Sequence, residues 1–357
     1  MDSPGFRDYV DVVAARYADD PNFVYPDVSL LKGIISGRAT YLRRGRARPF
    51  SVRDDRGGRP VAFCVAFVDP GLQQKTGQAT GSIGFFEALD TDAARTALDA
   101  ACAWLAGEGV SEVWAPFNAN PYYQMGARED HFDEPPFIGC SHSPSSTRDF
   151  LRDAGFDLVN RYLNFEIDLA SRPWERFGDP DGIGLRPASR LHFRREVLTY
   201  VHMHNAAFRT VWGEVEISDA EALQILMRSR LAIDPRLFQF ATREGADVGF
   251  VLCMPDLPGV LAPLHAPLTS ARGVRKLVAV RKRARRAGLL SLAVAPERQG
   301  EGIGTALVAA ACRAAAGMGF DHFEYALVAE NNGPSCATAS RFGGRVGRTF
   351  GIYRALI

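Results

Sequence analysis

The chain has 357 residues, of which 46% are hydrophobic and 23% are charged, and its formal net charge at pH 7 is +1. These proportions are ordinary for a globular protein, and the length favours two domains over one. A net charge near zero excludes a global field that would recruit nucleic acid or an anionic membrane. No apolar run approaches the roughly 20 residues that span a bilayer, and the start, MDSPGFRDYV, lacks a signal-peptide pattern. We therefore expect a cytoplasmic protein.

The cysteines predict thiols rather than a metal site. They stand at positions 64, 102, 140, 253, 312 and 336, and no two of them form a CxxC pair or another metal-ligand spacing. Most lie in apolar stretches, so we expect buried, reduced thiols and no bound metal.

In the first half of the chain, the predicted elements belong to an α/β layer. Two strands, Ser51–Arg53 and Pro60–Val68, flank a DDRGG turn and predict a hairpin. Strand Ile83–Ala88, helix Ala93–Ala106 and strand Glu112–Phe117 follow.

A linker is predicted near the middle of the chain. The segment SRPWERFGDPDGIG carries two prolines, three glycines and scattered charge, which is typical of a linker or a long surface loop. We therefore predict a first domain over residues 1–170, a linker over 171–182 and a second domain over 183–357.

The second half has the predicted order strand, two helices, strand hairpin, strand, glycine-rich turn, helix, strand, helix, strand, which is an α/β layer with a mixed sheet. The predicted elements are Ile183–Pro187, Leu191–Phe208, Asp219–Ala232, Leu237–Arg243, Val248–Met254, Leu289–Ala295, a helix ending near Met318, His322–Val328, Ser335–Arg341 and Val346–Leu356. The similar stretches TALDAAC at 96–102 and TALVAAAC at 305–312 indicate an internal repeat, about 210 residues apart. The alternative is that any alanine-rich helix between two strands would look alike.

The stretch PERQGEGIGT, residues 296–305, joins a predicted strand to a predicted helix and holds Gly300, Gly302 and Gly304. The N–H groups at a helix start lack intrahelical partners, and the helix dipole adds partial positive charge there. Glycines let several of these N–H groups approach one anion, so the turn predicts a phosphate-binding site. The spacing G-x-G-x-G without a lysine matches neither the dinucleotide fingerprint nor a P-loop.

The residues VAPERQGEGIG resemble the Q/R-x-x-G-x-G/A motif of the GNAT superfamily of acyl-CoA-dependent N-acyltransferases. The match continues downstream through Asn332, Ser335, Gly343 and the closing strand. The resemblance implies two tandem GNAT-like α/β domains, each with a mixed, mostly antiparallel twisted sheet flanked by helices. Residues 183–357 resemble a whole domain, and residues 50–169 resemble a weaker copy.

The resemblance also implies coenzyme A, present as the acyl-CoA co-substrate and held by the second copy. The implied coenzyme-binding residues are Ala293, Val294, Ala295, Arg298, Gln299, Gly300, Glu301, Gly302, Ile303, Gly304, Thr305, Asn332 and Ser335. The N–H of Val294 is the implied oxyanion donor. The corresponding turn of the first copy, EALDTDAAR, has no glycine, and Asp90 and Asp92 would repel a pyrophosphate. We therefore predict that the first copy does not bind the coenzyme and shapes the acceptor pocket or the domain interface.

The base for the acceptor amine and the acid for the leaving thiolate are less clear. The strand Leu289–Ala295 has no carboxylate, and Ala339 stands where the family often has a tyrosine. The candidates are Glu324 on the next strand, His204 on the helix where the family builds its acceptor site, Glu214 in the loop after it, and Tyr353 in the last strand. Each has a structural alternative, since a histidine on a helix is more often structural and Glu214 could be a solvated charge.

The stretch ARGVRKLVAVRKRARRAG, residues 271–288, holds eight positive charges and no acid. A solvated helix face or a turn is the usual explanation, and a docking surface for an acyl carrier protein near residues 272–286 is the alternative. We expect an N-acyltransferase that transfers an acyl group from acyl-CoA to a small-molecule amine, in specialised metabolism, with no nucleic-acid or membrane partner. An acyl carrier protein as the donor and a non-catalytic acyl-CoA-binding module are the other hypotheses.

Overall fold

The structure is a computed structural model that describes residues 4–24, 28–55, 58–230, 233–258 and 284–357. The chain divides into two compact units. The first contains Met1–Tyr162, Gly213–Val215 and Arg348–Ile357, and the second contains Leu163–Trp212 and Glu216–Gly347. Among the described residues, no helix is long and apolar enough to cross a membrane.

The elements of the first half of the chain are mostly those of the first unit. The helices are α1 Pro4–Arg16, α2 Ser29–Ile35, α3 Pro70–Thr76, α4 Thr91–Gly107 and α5 Ser146–Asp153, with short 3-10 helices at Thr40–Arg43 and Pro121–Tyr123. The strands are β1 Arg46–Arg53, β2 Pro60–Val68, β3 Thr80–Ala88, β4 Glu112–Ala115, β5 Ala127–Arg128 and β6 Asp157–Asp168.

The elements of the second half follow the predicted order. The helices are α6 Phe193–Ala207, α7 Asp219–Ser229, α8 Ile303–Gly317 and α9 Gly333–Arg341, with 3-10 helices at Leu169–Ser171, Pro173–Arg176, Pro235–Leu237 and Pro296–Arg298. The strands are β7 Gly184–Pro187, β8 Phe238–Arg243, β9 Ala246–Pro255, β10 Arg286–Val294, β11 His322–Ala329 and β12 Arg345–Leu356.

The sheet of the first unit has the strand order β1-β2-β3-β4-β12, in which β3 and β4 are parallel and the other neighbours are antiparallel. Strand β2 is apolar throughout because both of its faces are buried. Its even-numbered residues from Ala62 to Val68 pack in one hydrophobic cluster with α4. The odd-numbered residues from Phe63 to Phe67 pack in a second cluster with α1 and α2.

The sheet of the second unit has the strand order β6-β11-β10-β9-β8-β7. Strands β7 to β10 pair antiparallel, and β10 pairs with β11 in parallel through helix α8. This is the mixed α/β sheet that the sequence predicted. Most of α8 is buried in the hydrophobic core of this unit, and its alanines allow the helix backbone to lie close to the sheet.

The structure divides the chain differently from our predicted boundaries. The predicted linker 171–182 lies in the second unit, because Trp174 of the 3-10 helix Pro173–Arg176 is buried in that unit's core. The end of β12, predicted in the second domain, lies in the first unit. There it completes a backbone ladder with β4, in which Tyr353 is opposite Ala115.

Candidate functional site

Strands β10 and β11 separate part of the way along their length. Their parallel pairing runs from Arg286 opposite His322 to Leu289 opposite Tyr325. Beyond that pair, β10 continues to Val294 and β11 to Ala329. The two strands therefore diverge toward the glycine-rich turn and leave an opening between them.

The turn after β10 has the backbone geometry that its glycines suggested. Gly300 and Gly302 have φ values of 86° and 80°, in the left-handed region that residues with a side chain rarely adopt. A Cβ on Gly300 would meet no atom within 4 Å, so its missing side chain leaves space for a ligand. The first backbone bond of α8 joins Ala306 N–H to Gly302 O at 3.0 Å, and the preceding N–H groups remain available to an anion.

The opening and the turn line one cleft of about 720 Å³ that belongs entirely to the second unit. Of the coenzyme-binding residues predicted from the sequence, those that line it are Ala293, Val294, Arg298, Gln299, Gly300, Gly302, Ile303, Gly304, Thr305, Asn332 and Ser335. The remaining two have other contacts. Ala295 N–H donates to Val248 O at 2.9 Å, and the Glu301 carboxylate pairs with Arg243 at 2.6 Å and with Arg298 at 3.5 Å.

The N–H of Val294 points toward the opening. Consecutive N–H groups of a strand point to alternate edges, and Ala295 N–H, the next one, donates to Val248 O at the β9 edge. Val294 N–H therefore points away from β9, on the side where β11 has diverged. This is the orientation that an oxyanion donor in the cleft requires.

Tyr325 is a cleft residue that our sequence reasoning missed. It lies on β11 at the last pair before the strands diverge, and its hydroxyl lies near the side chain of Ser335. Burial raises its pKa to about 12, so the hydroxyl keeps its proton at neutral pH. Strand alternation could have indicated it, since Tyr325 and Glu324 must face opposite sides of the sheet.

Two of the candidate catalytic residues of the second unit are held away from the cleft lining. Glu324 is buried and accepts a hydrogen bond from Asn164 Nδ2, whose Oδ1 accepts from Leu327 N–H at 2.7 Å. The imidazole of His204 is buried and stacks on Phe208, with ring centroids 4.1 Å apart. Burial lowers the pKa of His204 to about 3, which makes it a weak base at neutral pH.

The other two candidates lie in the first unit. The hydroxyl of Tyr353 donates to Glu129 Oε1 at 2.7 Å, and its ring is buried in the core. The Oε2 atom of Glu214 is buried and has no hydrogen-bond partner among the residues that the structure describes. Burial raises its pKa to about 7, against an opposing effect of Lys75.

The turn of the first unit that corresponds to the glycine turn is closed by a carboxylate. Asp90 is the N-cap of α4 and accepts a hydrogen bond from Ala93 N–H at 2.8 Å. Asp92 follows in the first helical turn. A fixed negative side chain thus occupies one of the backbone donors that an anionic ligand would need.

The predicted docking stretch 272–286 is described only at its end, because residues 272–283 lie outside the described residues. Arg285 pairs with Asp321, and Arg286 pairs with Asp256 at 2.9 Å. Both described arginines of the stretch are therefore engaged within the second unit.

Fold and cleft together define an α/β protein with a glycine-rich helix start beside two diverging strands, and comparison with known proteins gives a family match for the part of the chain that forms the cleft. Residues 201–343, which include the cleft, match the model of the Acetyltransferase (GNAT) family. Protein YghO of Escherichia coli (strain K12) is 22% identical over 268 residues, which cover 73% of this chain and 68% of that protein.

Solved structures extend the likeness in fold to the full length. A tandem GNAT protein from the clavulanic acid biosynthesis pathway has a TM-score of 0.57 at 13% identity and covers 98% of this chain and 94% of its own. A GCN5-related N-acetyltransferase from Sphaerobacter thermophilus has a TM-score of 0.53 at 14% identity, and the match covers 99% of this chain and 92% of that structure's chain. Residues 201–343 thus match the Acetyltransferase (GNAT) family, which uses acyl-CoA, and the fold of the full chain is similar to that of tandem GNAT structures.

Proposed function

We propose that this protein transfers an acyl group from acyl-CoA to the amine of a small molecule. The observation that carries the proposal is the cleft of the second unit, in which the glycine turn and the start of α8 meet the opening between β10 and β11. The N–H groups of that helix start, with Arg298, are the partners that a diphosphate requires. An acyl carrier protein as the donor stays a prediction from the basic stretch.

The chemistry follows from the groups in the cleft. The amine nitrogen attacks the thioester carbonyl carbon, and Val294 N–H is placed to stabilise the negative charge on the carbonyl oxygen. The carbon–sulfur bond then breaks, the nitrogen releases one proton as the amide forms, and the leaving thiolate takes up one proton, so that in net one proton passes from nitrogen to sulfur. We assign that proton delivery to Tyr325, whose hydroxyl remains protonated at neutral pH and which lines the same cleft.

Two variants of Gly302 test the donor site. Asp and Asn have nearly the same size and both tolerate the left-handed conformation better than other residues, so they differ mainly in charge. We expect Gly302→Asp to weaken coenzyme A binding by about 100-fold or more and Gly302→Asn by about tenfold or less, because only the aspartate repels the diphosphate. Calorimetry measures both affinities, and circular dichroism checks that the variants fold.

Equal affinities of wild-type protein and Gly302→Asp would contradict the donor site. Release of free thiol from acetyl-CoA in the presence of a panel of amines then separates an enzyme from a binding module, because a binding module never turns over.

A further inference from the structure

Strand β11 contains a residue in the left-handed conformation at the point where the cleft opens. Leu327 has a φ value of 52° and lies two residues after Tyr325, which forms the last pair of β11 with β10. A side chain makes this conformation unfavourable, so it persists only where neighbouring groups hold it. The kink at Leu327 turns β11 away from β10, because a regular strand would continue the parallel ladder that ends at Leu289 and Tyr325.

A side chain of the neighbouring strand β6 holds this kink. Asn164 Oδ1 accepts a hydrogen bond from Leu327 N–H at 2.7 Å, and Asn164 Nδ2 donates to the Glu324 carboxylate. Asn164 and Glu324 are both buried from solvent. Water cannot replace either bond at such a depth, so the loss of one would leave a buried polar group unsatisfied.

An amide is the functional group that fits both partners of Asn164. The N–H of Leu327 needs an acceptor, and the carboxylate of Glu324 needs a donor. The amide supplies one of each, so the two bonds fix its orientation as well as its position. Glu324 and Leu327 stand on either side of Tyr325 in the chain, and the amide thus ties β11 to β6 around that residue.

We propose that Asn164 is a positioning residue for the donor cleft. By holding Leu327 in the left-handed conformation it keeps β11 apart from β10, which leaves the edge of β10 beyond Leu289 open and sets Tyr325 at the start of the opening. The inference rests on the proposed function, because that opening is where the thioester lies in the reaction. Asn164 stands outside residues 201–343, which match the family model, and it acts through β11 without touching the donor.

Two truncations test this role, with coenzyme A as the probe in calorimetry on the full chain. We expect Asn164→Ala to weaken coenzyme A binding about tenfold, because Leu327 then relaxes to an ordinary strand conformation and only the kinked fraction of molecules binds. Adding Leu327→Gly to that variant should bring the affinity back to within about threefold of wild type, because glycine adopts a φ of 52° without steric cost. Asn160→Ala, which should bind as wild type does, is the matched control, since Asn160 also lies on β6 but accepts locally from Arg161 N–H at 2.9 Å.

The recovery separates positioning from packing, because the loss of a second side chain would weaken a merely packed core further. Unchanged coenzyme A affinity in Asn164→Ala, or no recovery on adding Leu327→Gly, overturns the positioning role and leaves the donor site standing. Circular dichroism checks folding. Should Asn164→Ala fail to fold, a folded double variant that binds coenzyme A supports the role, and an unfolded one overturns it.

Crystal structures of the two ligand-free variants test the role without the donor. We expect a negative φ at Leu327 and continued pairing of β10 with β11 beyond Tyr325 in Asn164→Ala, and a positive φ at position 327 in the double variant. An unchanged kink in Asn164→Ala overturns the positioning role. If wild-type protein fails to bind coenzyme A, the donor site of the proposed function is overturned, and these two structures still decide whether Asn164 holds the kink.

Discussion

At the scale of single residues, burial decides which of the ionisable candidates can act. His204 and Glu214 were both candidates in the sequence, as polar residues near the predicted acceptor site. The pKa of His204 falls to about 3 because a buried imidazolium has lost its hydration. The same effect on an acid raises the pKa of Glu214 to about 7. His204 is therefore a poor proton acceptor at neutral pH, whereas the pKa of Glu214 is suited to proton transfer there.

The stability of the protein should report the burial of His204. Its pKa in the folded state is depressed, so the unfolded chain binds the extra proton as the pH falls below about 6.5, and stability decreases toward about pH 3. We expect His204→Phe, which keeps an aromatic ring against Phe208, to lose less thermal stability between about pH 7 and about pH 5 than wild type, by an amount on the order of a few kcal/mol at most.

The melting temperature measured at both pH values checks this expectation. His202→Phe is the matched control, because His202 is exposed and pairs with Asp219 at 2.9 Å. Identical acid sensitivity of His204→Phe and wild type would contradict the assignment. Retained acyl transfer by His204→Phe would in addition separate a packing role from a catalytic one.

At the scale of elements, the site depends on the divergence of two parallel strands. Strand β10 remains paired with β9 up to Val294 opposite Gly249, while its other edge is released after Leu289. Strand β10 is thus held in place by its pairing with β9, while its other edge, beyond Leu289, is open to a ligand. In the proposed mechanism a backbone N–H stabilises the oxyanion, so small apolar residues such as Ala293 and Ala295 suffice there.

Proline at position 294 tests this use of the backbone. Val294→Pro removes the N–H that points into the opening and leaves the ladder with β9 intact, so we expect a folded protein whose kcat falls by about 100- to 1000-fold with little change in coenzyme A affinity. Steady-state kinetics and calorimetry measure the two effects.

Proline one residue later should behave differently. Ala295→Pro removes the donor to Val248 O, so it should lower thermal stability as well as activity. Full activity of Val294→Pro would show that another group stabilises the oxyanion.

At the scale of the whole molecule, two units share one plan and differ at one turn. Cys64 on β2 interacts with Cys102 on α4, and Cys253 on β9 interacts with Cys312 on α8. A pair of neighbouring thiols thus lies between the corresponding strand and helix in each unit. The helix start is open in one unit, after Gly302, and capped by Asp90 in the other.

This difference predicts the binding stoichiometry. We expect one coenzyme A per chain, because Asp90 already accepts from the first turn of α4 and Asp92 adds a second negative charge to the same turn. Calorimetric titration of the full chain gives the number directly. A stoichiometry of two, or a second site that persists in Gly302→Asp, would show that the first unit also binds the coenzyme.

The glycine-rich turn and the α/β order of the second half could be predicted without a structure, because glycine spacing and hydrophobic periodicity are local properties of the chain. The packing of helices α1 and α2 could not be predicted from the sequence. These helices cover the face of β2 that carries Phe63, Val65 and Phe67, while α4 covers the opposite face. Three features appear only in the tertiary structure: the pairing of the end of β12 with β4, the place of Tyr325 in the cleft lining, and the buried Oε2 of Glu214 near Tyr162. Pairing partners, burial and the pKa shifts that burial causes arise from residues far apart in sequence, so no local pattern contains them.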